Sequence, residues 1–239
     1  TLLQTIPIDT YALYVCPPFS PAVAGVAQRY LRVRHAGAAY PDRLLRMETL
    51  AAHDSTFAEF GTALAGMDEV GRGPLLGPVV AACVIMPAQP LLPWVDDSKK
   101  LSAARREQME AAIRACALFV GVGQASAAEI DQINILNATK LAMRRAAENA
   151  PASLCLVDAV TGLALPFPTR SIIHGDAVSY SIAAASIVAK VARDQMLVGL
   201  AKRYPGYGLE RNMGYGTPEH IEGILRCGAC PEHRRSFIG

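Results

Sequence analysis

Nine consecutive residues, Pro78–Met86 (PVVAACVIM), carry no polar side chain. The run is less than half the roughly 20 residues that a membrane-crossing helix needs. Its β-branched members, Val79, Val80, Val84 and Ile85, favour strand over helix. A strand that is apolar on both faces must be covered on both faces. That requirement dictates a sheet with packed layers above and below, which neither a helical bundle nor a one-sided meander satisfies. The chain has the material for it. Its 239 residues, 51% hydrophobic and 18% charged, suffice for one well-buried domain plus a short appendage, and fall short of two catalytic domains.

The remaining periodicities fill in that frame. Strands are expected at Ala63–Glu69, Leu118–Gly123, Leu154–Asp158 and Ser171–His174. Helices are expected at Ser102–Ala117, Leu136–Ala150, Ser179–Arg203 and Thr217–Cys227. Ser179–Arg203 is Ala-rich and apolar on most sides, which places it at the centre. Thr217-Pro218 opens the last helix as N-cap and N1. The first two strands follow each other without a helix between them, and helices and strands then alternate. The expected fold is therefore α/β, a mixed sheet covered by helices.

Composition shifts near residue 46. Residues 1–46 hold no Lys, no Glu, five Arg, two Asp and five Pro, without a sustained period. Three readings stay open: a disordered extension, a targeting arm, or sequence upstream of a working start at Met47. The domain division expected is a poorly ordered extension over residues 1–60 and a catalytic domain over 61–239. No window offers about 18 uncharged apolar residues, and Tyr11–Val15 lacks a basic segment before it, so neither a membrane span nor a secretory signal is expected. Cysteines at 16, 83, 116, 155, 227 and 230 are scattered, which suggests free thiols in a reducing cytoplasm. The formal charge of +2 excludes a polycationic coat protein. A nucleic-acid partner would have to meet a local basic patch.

Asp68, Asp158 and Asp176 each lie at or just past the C-terminal end of an expected strand, where open α/β sheets assemble their sites. Glu69 adds a fourth acid. Convergent carboxylates stay ionised together only around a cation, and all-oxygen ligands favour Mg²⁺ or Mn²⁺ over zinc. Neighbouring strand residues face opposite sides, so Asp68 and Glu69 share a site only if the strand bends; Gly66 and Gly71 supply the freedom. Ordinary strand-end acids remain the competing reading. Gly71-Arg72-Gly73-Pro74-Leu75-Leu76-Gly77 opens a strand instead of a helix and lacks Gly-Lys-Ser/Thr, so it is neither a dinucleotide fingerprint nor a Walker loop. It reads as bare backbone against which a ligand can press, with Arg72 offering a planar fork to phosphate, or as a tight hairpin turn.

The string Met67-Asp68-Glu69-Val70-Gly71-Arg72-Gly73-Pro74 closely resembles the opening motif of the ribonuclease HII family. The likeness continues through Asp97–Ser102, Glu129–Thr139, Val157-Asp158, Gly175-Asp176 and Ala183–Asp194, and ends in Gly214–Thr217, His220 and His233–Phe237. It implies a ribonuclease H-like mixed sheet flanked by helices, with a small helical C-terminal part. It further implies an endonuclease acting on the RNA strand of RNA–DNA hybrids and 5′ of single ribonucleotides embedded in duplex DNA, a step in ribonucleotide excision repair. The family's four catalytic, metal-binding acids map onto Asp68, Glu69, Asp158 and Asp176. Two Mg²⁺ or Mn²⁺ ions, roughly 4 Å apart, would clamp the scissile phosphate and leave 3′-hydroxyl and 5′-phosphate ends. By the same resemblance Gly71, Arg72 and Gly73 read the 2′-hydroxyl, Tyr215 stacks on a sugar, and Ser98 and Lys99 hold backbone phosphate.

Ser186, Lys190 and Asp194 fall four apart on one face of the long helix. Ser186 reads as a phosphate neighbour, and Lys190 with Asp194 as support at the substrate-binding face. Where the family often has Gly after the third acid, Lys before Gly-Tyr and Lys two residues before the fourth acid, this chain has Ala159, Met213 and His174. Three alternatives stand beside this reading. The sister ribonuclease HIII usually has Thr in place of Arg72. A zinc-binding module could use Cys227, Cys230, His233 and His220. A catalytically dead hybrid-binding protein is the third. No membrane partner and no clamp-binding tail are expected, and the protein is read as a monomer.

Overall fold

The computed structural model describes residues 40–61, 63–88, 91–96 and 98–239. The N-terminal readings, apart from their last residues, therefore fall outside the described residues. A five-stranded sheet runs in the order β3-β2-β1-β4-β5. Its strands are β1 (Leu64–Val70), β2 (Val79–Ile85), β3 (Phe119–Ala125), β4 (Leu154–Asp158) and β5 (Thr169–Ile172). The pairs β1–β2 and β2–β3 are antiparallel, while β1–β4 and β4–β5 are parallel, so the sheet is mixed as expected. Helices follow in chain order as α1 (Tyr40–Ser55), α2 (Ala103–Cys116), α3 (Ala127–Ala146), α4 (Tyr180–Arg203), α5 (Leu209–Asn212), α6 (Pro218–Cys227) and α7 (Arg235–Ile238).

Strand β2 explains its own sequence. All seven residues are buried. Ala82 and Val84 pack with α1, α2 and α4, while Val79, Ala81, Cys83 and Ile85 pack with α3 on the opposite face. Helix α4 lies against β1 so closely that a Cβ on Gly66 would meet the Ser181 carbonyl carbon at 2.0 Å. Its N-terminus is capped by Ser179, whose side chain accepts from the Ile182 amide.

Three elements depart from the sequence reading. Helix α1 was not expected, because the composition boundary drawn at Met47 cuts through it. Met47 and Leu50 are buried in the α4-facing core, and Leu44 and Ala51 pack beside them, a helical spacing. Helix α3 starts at Ala127, nine residues before the expected Leu136. Ser126 and Glu129 form a reciprocal capping box there, and Asn134 (φ 64°, ψ 165°) kinks the helix at its seam. Strand β5 is displaced towards the N-terminus from the expected Ser171–His174, since His174 turns into left-handed backbone (φ 55°).

Candidate active site

Parallel pairing sets Met67 opposite Val157, so the next residues, Asp68 and Asp158, emerge at one level of the sheet. After β5 the left-handed His174 turns the chain back, and Gly175 donates its amide to Asp158 Oδ1 at 2.7 Å. That bond draws Asp176, in the 3-10 turn Gly175–Ala177, over the same spot. One oxygen from each of Asp68, Asp158 and Asp176 lies within 4.8 Å of the others.

Glu69 stands outside this group of three. Strand β1 stays paired with β2 through Val70, so the bend that would bring Glu69 onto the face of Asp68 does not occur. Gly66 serves the close approach of α4 instead. Glu69 Oε1 accepts from Arg72 Nη1 at 3.3 Å, while its Oε2 is buried without a hydrogen-bond partner among the described residues. Burial pushes the Glu69 carboxyl up, Arg72 opposes this, and Asp158 adds to it. Burial also raises Asp68 well above its ordinary range, reinforced by Glu69 and Asp158 and opposed by the Ser186 hydroxyl and the Glu69 amide. Asp158 is raised chiefly by burial. Buried acids that disfavour one another's charge, with one acceptor orphaned beside them, fit a hard divalent cation bound through oxygen.

Among the other expected residues, Lys99 contacts this centre through Asp176 and Ser186 through Asp68. Lys99 Nζ donates to Asp176 Oδ2 at 3.0 Å on a largely exposed side chain. Ser98 is buried and shares a 2.9 Å hydrogen bond with Ser186 Oγ, so its hydroxyl faces inward. Lys190 Nζ donates to Asp194 Oδ1 at 2.6 Å, one turn along α4. Tyr215 is 47% exposed, and a Cβ on Gly73 would lie 3.6 Å from its ring, so the ring stands beside the Gly71–Gly73 loop. The turn that carries Tyr215 is held by hydrogen bonds on both sides of the peptide. The Tyr215 amide donates to the Asn212 carbonyl at 2.9 Å, and His220 Nδ1 lies 2.9 Å from the Tyr215 carbonyl.

Three positions where this chain departs from the family pattern, Ala159 (φ 48°), His174 (φ 55°) and Met213 (φ 51°), all have left-handed backbone. At Ala159 that explains the usual glycine, whose replacement costs about 1–2 kcal/mol in such a conformation. The Cys227, Cys230, His220, His233 set does not assemble as a zinc cage. His220 Nε2 and His233 Nε2 lie 3.1 Å apart, the His233 Nδ1 accepts the Cys230 amide, and Cys227 is exposed. Among the described residues the acidic group alone brings three metal-binding side chains together.

Sequence reading overlooked two kinds of residue around the site. Arg46, on α1, donates to the carbonyl of Ala177, next to Asp176, at 2.5 Å. Arg193 and Arg234 are completely buried beneath the Gly71–Gly73 loop.

Fold and centre together define an α/β protein of the ribonuclease H type with a carboxylate cluster suited to divalent cations. A family model described as ribonuclease HII matches residues 65–239. The chain is 55% identical to the ribonuclease HII of Geobacillus kaustophilus (strain HTA426) over 176 residues, 73% of this chain and 67% of that protein. It is 53% identical over 185 residues to the ribonuclease HII of Paramagnetospirillum magneticum, covering 75% of this chain and 92% of that one. The solved ribonuclease H2 of Pyrococcus horikoshii OT3 superimposes with a TM-score of 0.62 at 24% identity, over 72% of this chain and 92% of that one, a likeness of fold. The chain belongs to the ribonuclease HII family. It is a ribonuclease H, an enzyme that hydrolyses the RNA strand of RNA–DNA hybrids.

Proposed function

We propose that the enzyme also incises duplex DNA 5′ of a single embedded ribonucleotide, leaving 3′-hydroxyl and 5′-phosphate ends. The observation that carries this reading is the placement of Asp68, Asp158 and Asp176 within 4.8 Å of one another, around the corner of β1 from the Gly71–Gly73 loop and the exposed ring of Tyr215. Asp68, Glu69, Asp158 and Asp176 would hold two Mg²⁺ or Mn²⁺ ions, which when bound supply an activated water and neutralise charge at the leaving oxygen. Glu69 would reach the centre from the other face of β1 through its unpartnered Oε2. Lys99 is poised to exchange its bond with Asp176 for a backbone phosphate, and Ser186 holds the Asp68 carboxylate in place. The Gly71–Gly73 backbone and the Tyr215 ring bracket the one sugar whose 2′-hydroxyl separates RNA from DNA. Arg72, bonded to Glu69, couples that reader to the acids.

This activity places the protein in ribonucleotide excision repair, acting as a monomer in the cytoplasm. Among the described residues no helix is long and apolar enough to cross a membrane. The test compares three substrates in Mg²⁺ or Mn²⁺: duplex DNA with one ribonucleotide, an all-DNA duplex, and a continuous hybrid. Incision is expected in the first and third only. Asp68→Asn should reduce both about 100- to 1,000-fold, as expected when a group stabilising transition-state charge is removed. An intact single-ribonucleotide duplex would refute the incision reading while leaving the hybrid activity standing.

A further inference from the structure

Arg193 and Arg234 are the two largest side chains buried completely, and among the described residues neither forms an ion pair with a carboxylate. Both spend their donors on main-chain carbonyls. Arg234 donates to Gly71 (2.6 Å), Arg72 (2.9 Å) and Gly77 (2.9 Å). Arg193 donates to Leu76 (3.2 Å), Pro78 (3.1 Å) and Met213 (3.0 Å). A buried guanidinium is tolerated only when dipoles replace its water, and here the dipoles all come from the loop between β1 and β2 and from the turn leading to Tyr215. The arrangement has a cost that shows its purpose. Burial, and the presence of Arg193, pull Arg234 down to about 9.

Peptide planarity turns these bonds into a statement about the outer surface. In a trans peptide the N–H points opposite to the C=O. Holding the Gly71 and Arg72 carbonyls inward therefore aims the amides of Arg72 and Gly73 outward. Neither amide donates to an acceptor among the described residues. Gly71 has φ 89°, and a Cβ on it would lie 2.1 Å from Arg193 Nε, so the loop and the arginine are fitted to each other. The same clamp reaches the other side of the reader. Arg193 holds Met213, two residues before Tyr215, and the Leu75 amide donates to the Gly214 carbonyl at 2.8 Å.

We propose that Arg193 and Arg234 are positioning residues that lock the outward amides of Arg72 and Gly73 and the Tyr215 turn into one rigid reader of the ribonucleotide. The proposal rests on the single-ribonucleotide incision reading above. Neither arginine touches substrate. A continuous hybrid offers many registers, so a misaligned reader still finds a productive one; a lone ribonucleotide offers a single register and exposes the misalignment.

The test uses the full chain with Arg234→Lys and Arg193→Lys, which keep the charge and replace a planar three-donor fork by a point donor. In each variant kcat/KM on the single-ribonucleotide duplex should fall about 100-fold, against no more than about 5-fold on the continuous hybrid, the scale expected of a misplacement near 1 Å. The Mg²⁺ concentration giving half-maximal rate should not move. Equal losses on both substrates, or none, would overturn the clamp. Should the variants fail to fold, hydrogen exchange in the wild-type protein decides: the Arg72 and Gly73 amides should exchange fast in the free enzyme and slowly with a ribonucleotide-containing duplex bound in Ca²⁺. Slow exchange in the free enzyme would mean inward amides and would sink the idea. A wild-type enzyme that leaves the lone ribonucleotide intact refutes the incision reading and this proposal together, whereas wild-type incision with equal losses in the variants refutes the clamp alone.

Discussion

Asp68 is held where its own charge is disfavoured. Burial comes first, and Glu69 and Asp158 add to it. The folded carboxyls of Asp68 and Glu69 titrate above their ordinary values of 3.8 and 4.5, so the folded protein keeps protons there that the unfolded chain has released. The stabilising contribution is greatest below those ordinary values and is lost as pH rises through the folded ones. Without divalent cations at mildly alkaline pH the folded state therefore bears the whole penalty, and a bound cation removes it. Thermal melts after chelation should show Asp68→Asn to be more stable than the parent, by about 2–4 °C for each kcal/mol of repulsion relieved. Adding millimolar Mg²⁺ or Mn²⁺ should raise the parent's Tm and raise that of Asp68→Asn much less. A parent and variant that melt alike and respond alike would contradict this account. Asp158 was legible in the sequence because its strand ends where a short apolar run stops, whereas Asp68 lies two residues inside β1 and Asp176 four residues past β5. Glu69 was less so: pattern puts it beside Asp68, but the pleat turns it away, and its orphaned oxygen and its repulsion with Asp68 and Asp158 tie it to the centre.

At the level of elements, the contact between β1 and α4 decides the site's geometry, because β1 carries Asp68 while α4 carries Ser186 and Arg193. Gly66 makes that contact possible. Gly66→Ala should drive α4 away from the sheet and cost upwards of the roughly 1–3 kcal/mol typical of overpacking, since the obstruction is backbone and cannot rotate aside. Chemical denaturation should report the loss, and activity should fall further than stability predicts as Ser186 leaves Asp68. Unchanged unfolding would refute the packing argument. The strands β2 and β4 could be read from apolar runs, because burial on both faces leaves no alternation to misinterpret. Strand β5 could not, since it follows Pro166 and Pro168 and hands its apolar Ile173 to solvent. The first half of α3 was announced by Ser126 and Glu129, a signal confined to the helix cap and therefore invisible to apolar periodicity.

For the molecule as a whole, the segment ahead of the family-matched residues 65–239 is joined to the catalytic body by more than a peptide bond. Leu50 is fully buried in the α4-facing core, Asp54 Oδ2 accepts the Ser181 amide at 2.8 Å, and Arg46 holds the Ala177 carbonyl. Leu50→Ala should cost about 2–5 kcal/mol, measurable as a lower denaturation midpoint with an unchanged slope. A cost below about 0.5 kcal/mol would mean that α1 is a surface passenger. Composition hid this element because Arg-rich, Glu-free sequence continues into its first turns, while its apolar face is only a few residues wide. The margin of the sheet opposite β3 has a consequence of its own. Strand β5 offers four residues, among them the exposed Arg170 and Ser171. A stray polypeptide aligning there would gain few ladder bonds and would have to strip hydration from a guanidinium, so this border is a poor template for fibrillar growth.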